Sequence, residues 1–296
     1  GIIIENGSLT FTDSDADDVT GSLKLTAGYP VIGVDNGSLF VENVNLTVIN
    51  TLSPTGNPGE AILVTGDISI TNSDVTAISG DSDGDDILEF SSTLGIMTTG
   101  SMSVANSTVS ATGYNIGIGA GSLSVTNSTV AAAGNGGAIL NMEADDEGLV
   151  PTLNGEFTVS AGNDAASAVK VDSPTDTTYA SKYVKIGPPT STITVEMADS
   201  YGDGWNDRAR ILVLSVPSSS DMAGEEDILG VFTLEDVASG TQTLTIGKNQ
   251  TVYFFWLFDN EGTYNYEASF TIKRDGVTIY THADDAEECP LTDWQL

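Results

Sequence analysis

The sequence predicts an all-β chain: a parallel β-helix with three short strands per coil over residues 1–187, followed by a small antiparallel β-sandwich over residues 188–296. Three observations predict it. A Gly-Ser-Leu-like phrase recurs along the first two thirds, with alternating apolar and polar residues and an amide or acid six places after the glycine. The glycines recur at irregular spacings of 14, 16, 29, 34, 21 and 34, as stacked coils with looped-out insertions would give. After Gly187-Pro188-Pro189 the repeat stops and separate strands of ordinary length begin.

The repeat is clearest at Gly37–Asn43, Gly66–Asn72, Gly100–Asn106 and Gly121–Asn127, with a worn copy at Gly7–Asp13. Copies from Gly21 and Gly155 carry Ala27 and Ala161 at the sixth place. Within one unit, Leu123 and Val125 point one way while Ser122, Ser124 and Thr126 point the other, which is strand periodicity. A turn at Asn127-Ser128 leads to a second strand around Thr129–Ala131. The third strand of a coil is expected at Ala61–Val64, Ile116–Ile118, Ala138–Leu140 and Ala168–Val171. Asn43, Asn72, Asn106 and Asn127, with Asp13 as a variant, are expected to form a structural ladder. Asparagine accepts left-handed turn geometry and can hydrogen-bond its stacked neighbours.

Past the Gly-Pro-Pro break, Ile193–Met197, Ile211–Val216, Leu229–Leu234, Thr243–Ile246, Val252–Phe258, Tyr266–Ile272 and Val277–Tyr280 read as seven strands of a sandwich. This part holds all three tryptophans, all three arginines and the single histidine, His282. The aromatic run Tyr253–Phe258 is expected to pack into its core.

Charge narrows the function. With 42 acidic residues against nine basic ones the net charge is −33, which excludes nucleic acid as a partner, because binding it takes clustered Lys and Arg. So acidic a surface either repels itself into solution or holds cations, and calcium prefers oxygen ligands of this kind. No apolar run is long enough to span a bilayer. A lone cysteine, Cys289, precludes an intrachain disulfide. The Thr-, Ser-, Asn- and Gly-rich composition, and a first residue that is glycine rather than methionine, lead to the expectation of an exported extracellular or cell-surface protein. Six Asn-X-Ser/Thr sequons occur, and a reading without glycans is preferred, since two of them, Asn106 and Asn127, are repeat positions.

The sharpest local motif is Asp199-Ser200-Tyr201-Gly202-Asp203-Gly204-Trp205-Asn206-Asp207. Three acids and an amide hinged by two glycines can wrap oxygens around one hard cation, so Asp199, Asp203, Asn206 and Asp207 are candidate calcium ligands. A second candidate loop comprises Asp81, Asp83, Asp85, Asp86 and Glu89; it departs from the EF-hand pattern at its sixth and twelfth places. The runs Asp13–Asp18 and Glu143–Glu147 are looser.

The string at 199–206, followed by an alternating strand and by Glu267-Ala268-Ser269-Phe270, resembles the Asp-Ser-Tyr-Gly-Asp-Gly-Trp-Asn module, an accessory β-sandwich of secreted and surface proteins. That resemblance covers roughly residues 190–282 and implies location more than activity. Family members often have glycine where Asp207 stands and pair their cysteines. The recurrent Gly-Ser-Leu-x-Val-x-Asn-Ser texture of residues 1–187 resembles the polysaccharide-lyase-like, carbohydrate-binding parallel β-helices of bacterial surface proteins.

Catalysis is not expected. Lyase chemistry on acidic sugars needs a Lys or Arg base, and residues 1–189 contain no Arg, no His and only Lys24, Lys170, Lys182 and Lys185. Hydrolysis would need two carboxylates at a defined separation, which Asp85-Asp86 or Asp145-Asp146 could in principle provide. The opening strand Ile2, Ile3, Ile4 is apolar and is expected to mediate head-to-tail self-association into filaments. The reading is therefore a non-catalytic, calcium-assisted structural or adhesive protein, with polysaccharide binding as the alternative and a lyase or hydrolase behind both.

Overall fold

The computed structural model describes residues 1–13, 21–27, 30–51, 59–80, 93–142, 148–205, 209–217, 227–235, 237–248, 250–257, 267–283 and 294–295. The chain divides into two compact units, Gly1–Pro188 and Pro189–Leu296.

The first unit is a parallel β-helix. Its first sheet stacks Ile2–Ile4, Ile32–Val34, Ile62–Val64, Leu94–Thr98, Ile116–Ala120 and Gly137–Asn141. The second stacks Leu9–Thr12, Leu39–Glu42, Ile68–Thr71, Ser101–Ala105, Ser122–Thr126 and Thr152–Asn154. The third begins with Ser22–Ala27, Asn45–Thr51, Asp74–Gly80, Thr108–Gly113 and Thr129–Ala133. Register is strict: Leu39, Ile68, Met102 and Leu123 form one rung, and Val48, Ala77, Ala111 and Ala132 another. All eight are buried, so the period-2 alternation of each phrase becomes one continuous apolar column.

The repeat glycines are required by close approach between coils. A Cβ built on Gly37 would lie 1.9 Å from the Gly7 carbonyl oxygen, and one on Gly66 2.3 Å from that of Gly37. The asparagines supply the turn between the second and third sheets: Asn43, Asn72, Asn106 and Asn127 have φ of 46–56°. Asp13 is not in this left-handed set, although its amide bonds Glu42 O as Asn43 bonds Thr71 O.

Hydrogen bonding along this edge is carried by the serines that follow Asn72, Asn106 and Asn127, whereas Val44 follows Asn43. Ser73, Ser107 and Ser128 are buried; each hydroxyl donates to a carbonyl two residues back (Thr71, Ala105, Thr126) and accepts the amide of the preceding coil. The links are Val44 N to Ser73 Oγ (3.1 Å), Ser73 N to Ser107 Oγ (3.0 Å) and Ser107 N to Ser128 Oγ (3.0 Å). The asparagine residues are on the outside instead, Asn72, Asn106 and Asn127 exposed and Asn43 half-buried.

The far end of the unit departs from the repeat. Tyr183–Gly187 inserts antiparallel between Thr129–Ala133 and Thr158–Gly162. Val169–Val171 then pairs antiparallel with Thr158–Gly162 in the third sheet, so the expected coil strand at 168–171 is a hairpin partner and not a rung of the first sheet. Ile2–Ile4 forms the opposite end of the first sheet, with Ile3 62% exposed.

The second unit is a β-sandwich of two antiparallel four-stranded sheets. One orders Ser239–Gly247, Thr190–Asp199, Ala268–Arg274 and Val277–His282; the other orders Ile228–Phe232, Arg210–Leu214, Tyr253–Leu257 and Trp294–Gln295. Strands correspond to all seven predicted segments, and Trp294–Gln295 adds an eighth. Phe254 and Trp256 face the core with Ile193, Val195, Ile211, Val213, Phe270 and Ile272. Asp275 (φ 52°) and Gly276 (φ 81°) form the tight turn between Ala268–Arg274 and Val277–His282, the two-residue connection that matches strand twist.

Candidate metal centre

The long strand Thr190–Asp199 ends in the core-facing carboxylate of Asp199, which is 5% exposed. Alternation along the strand decides this: Val195, Met197 and Asp199 all lie on the buried face. Gly202 (φ 87°) and Gly204 (φ 91°) then reverse the chain, positions where a side chain would be strained. The reversal brings Asp203 back over Asp199. Trp205 anchors its far side: its amide donates to Leu234 O (2.7 Å) and its indole N–H to Ala198 O (3.1 Å). The indole ring packs edge-on against Trp256 (4.9 Å) and Phe270 (5.8 Å).

The third carboxylate comes from the neighbouring strand. Asp199 pairs with Ala268, which sets Glu267 beside the turn, and Ser200 N–H donates to Glu267 O at 3.0 Å. One carboxylate oxygen from each of Asp199, Asp203 and Glu267 lies within 4.8 Å of the others. Asp199 and Glu267 are buried, whereas Asp203 is exposed.

Asp199 Oδ1 accepts from Tyr201 N–H at 2.9 Å, but Asp199 Oδ2 is shielded from solvent and has no hydrogen-bond partner. A shielded anionic oxygen without a donor is costly. Two like charges about 4 Å apart repel by about 1 kcal/mol in a water-like medium and about 4 kcal/mol at an effective dielectric near 20. A divalent cation among the three would reverse the sign of both effects, and an all-oxygen, carboxylate-rich set suits calcium over softer metals.

Asn206 and Asp207 lie outside the described residues, as do Asp81, Asp83, Asp85, Asp86 and Glu89, the runs 14–18 and 143–147, and Cys289. Glu267 lies outside the motif at 199–207 and joins Asp199 and Asp203 only in the folded chain. Its only sequence signal was its place at the head of the Glu-Ala-Ser-Phe strand, and pairing with Thr190–Asp199 is what converts that place into a ligand position.

A second feature belongs to the first unit. The asparagine edge forms a groove of about 640 Å³ lined by Asn43, Asn72, Asn106, Asn127 and neighbouring hydroxyls, with Asp74 contributing a carboxylate.

No protein-family model matches the chain, and no curated protein matches it. Among solved structures, the enzymatically active domain of tailspike protein 4 from bacteriophage CBA120 is similar at 10% identity and a TM-score of 0.24, over 83% of this chain and 44% of that one. The chain thus spans less than half of that structure, and a likeness this distant carries no functional inference.

Proposed function

We propose that this is a non-catalytic, calcium-assisted extracellular or cell-surface structural protein, in which a β-helix is joined to a calcium-binding sandwich of the Asp-Ser-Tyr-Gly-Asp-Gly-Trp-Asn kind. The observation that carries the reading is the Asp199–Asp203–Glu267 set with its unpartnered, buried Asp199 oxygen. The acidic composition and the lack of Arg and His through residue 189 support the surface and non-catalytic parts.

The experiment is thermal unfolding of the full chain after chelation and after calcium is restored. Calcium at 100 times its dissociation constant stabilises the native state by about 2.7 kcal/mol. Asp199→Asn abolishes that gain if the reading holds; an equal gain in the variant refutes it.

The polar groove along Asn43, Asn72, Asn106 and Asn127 favours a second reading, binding of an extracellular polysaccharide. Retention of the monomer on insoluble glycans, lost when Asn72 and Asn106 are replaced by glycine, tests it. Glycine keeps the left-handed turn and removes only the amides.

A further inference from the structure

The asparagine edge of the β-helix presents four side-chain amides in strict register. Each of the first three asparagines is fixed to the next coil by its own backbone. Asn43 N–H donates to Thr71 O (3.2 Å), Asn72 N–H to Ala105 O (3.1 Å) and Asn106 N–H to Thr126 O (3.0 Å). Successive amides are therefore one coil apart, about 4.8 Å, and the row of four spans about 14 Å. The other bank of the groove is the first rung of the third sheet, Asp74, Thr108 and Thr129, again one residue per coil. Between the banks lie Ser73, Ser107 and Ser128, whose hydroxyls each already donate to a carbonyl and accept an amide.

The two banks, unlike the serines, keep their hydrogen-bonding capacity. Among the described residues, the side chains of Asn43, Asn72, Asn106 and Asn127 and the hydroxyls of Thr108 and Thr129 make no hydrogen bond within the protein. Left-handed backbone accounts for the choice of asparagine, yet the amides make none of the local hydrogen bonds that usually favour it there. Each amide thus offers a ligand both donors and an acceptor. No Lys or Arg lines the groove, and its one charge is the Asp74 carboxylate. In a chain of net charge −33, such a groove repels an anionic polymer.

We infer that the groove takes an uncharged, extended β-1,4-linked glycan, one sugar unit per coil, over at least four units. The inference rests on the polysaccharide reading and names its substrate class. A pyranose unit in such a chain advances by nearly the coil rise, so every coil meets a sugar in the same register. An extended peptide repeats its side chains on one face about every 6.7 Å and falls out of step. Asp74 accepts from sugar hydroxyls but disfavours uronates. No aromatic ring lines the groove, so affinity depends on how many coils are engaged at once.

The test is isothermal titration calorimetry of the full chain with β-1,4-linked oligomers of glucose, mannose and xylose, from two to six units, beside oligogalacturonates of the same lengths. For a neutral series, the dissociation constant is expected to fall about tenfold or more from dimer to tetramer and then to level off. Oligogalacturonate is expected not to bind. The double variant Asn72→Gly, Asn106→Gly keeps the turn and is expected to weaken tetramer binding about tenfold or more. Thr108→Val, on the other bank and without effect on the turn, is expected to weaken it about fivefold. Binding of oligogalacturonate in place of the neutral oligomers overturns the inference and leaves the polysaccharide reading standing. Neutral binding that survives both variants places the sugar elsewhere and also overturns it. Absence of binding by every oligomer of either class overturns the inference and the polysaccharide reading together.

Discussion

Asp199 and Glu267 are brought together by one pairing: Asp199 opposes Ala268 across two antiparallel strands, and Ser200 N–H closes the contact on the Glu267 carbonyl. Both carboxylates are buried in the sandwich, and Asp203 completes the trio from a turn that two glycines permit. Three carboxylates held this close repel one another, and a cation among them would turn the repulsion into attraction.

Removing a charge from the trio therefore has opposite effects in two solutions. In chelator, Asp199→Asn or Glu267→Gln relieves repulsion and raises stability by about 1 kcal/mol. In calcium the same variants lose stability relative to the parent by about 2 kcal/mol or more. Melting curves in the two buffers read the crossing directly.

The left-handed asparagines give a second prediction. Asn106→Ala places a Cβ-bearing residue without a compensating amide at φ 49° and costs about 1–2 kcal/mol, whereas Asn106→Gly costs less. Ser107→Ala leaves the Ser73 N–H without its acceptor inside the helix and costs about 1–3 kcal/mol. Denaturant unfolding of the three variants ranks them.

The coil-stacking glycines set the strictest limit. In Gly66→Ala the new Cβ lies 2.3 Å from the Gly37 carbonyl oxygen, so backbone must shift. The expected loss is about 3 kcal/mol, the upper part of the range for overpacking. A variant as stable as the parent contradicts the packing described here.

His282 gives the pH dependence. Its Nε2 is buried without a partner, its ring lies 5.3 Å from Phe270, and burial lowers its pKa below the ordinary histidine value. The native state thus binds the proton less well than the unfolded chain. The associated stability is fully present above the unfolded value of about 6.5 and is lost as pH falls through the lower native value. His282→Phe is expected to flatten stability between pH 7.5 and pH 5, measured by unfolding at both.

Much of the fold was legible because the repeat is written in residues with one physical use each: glycine where coils touch, asparagine where φ turns positive, Leu or Val where the column is buried. The end of the helix was not. Gly155–Ala161 carries the phrase, and Val169–Val171 alternates like a coil strand, yet Tyr183–Gly187 displaces both from the parallel stack by a long-range pairing that no local pattern announces. The metal candidates divide in the same way. Asp199 and Asp203 share a motif and were legible; Glu267 joins them only through strand register.

Diffraction from crystals of the full chain soaked in calcium, with data collected for calcium anomalous scattering, tests the central claim most directly. The account predicts a peak about 2.3–2.6 Å from carboxylate oxygens of Asp199, Asp203 and Glu267. A calcium-saturated crystal with no density among those three carboxylates would contradict it.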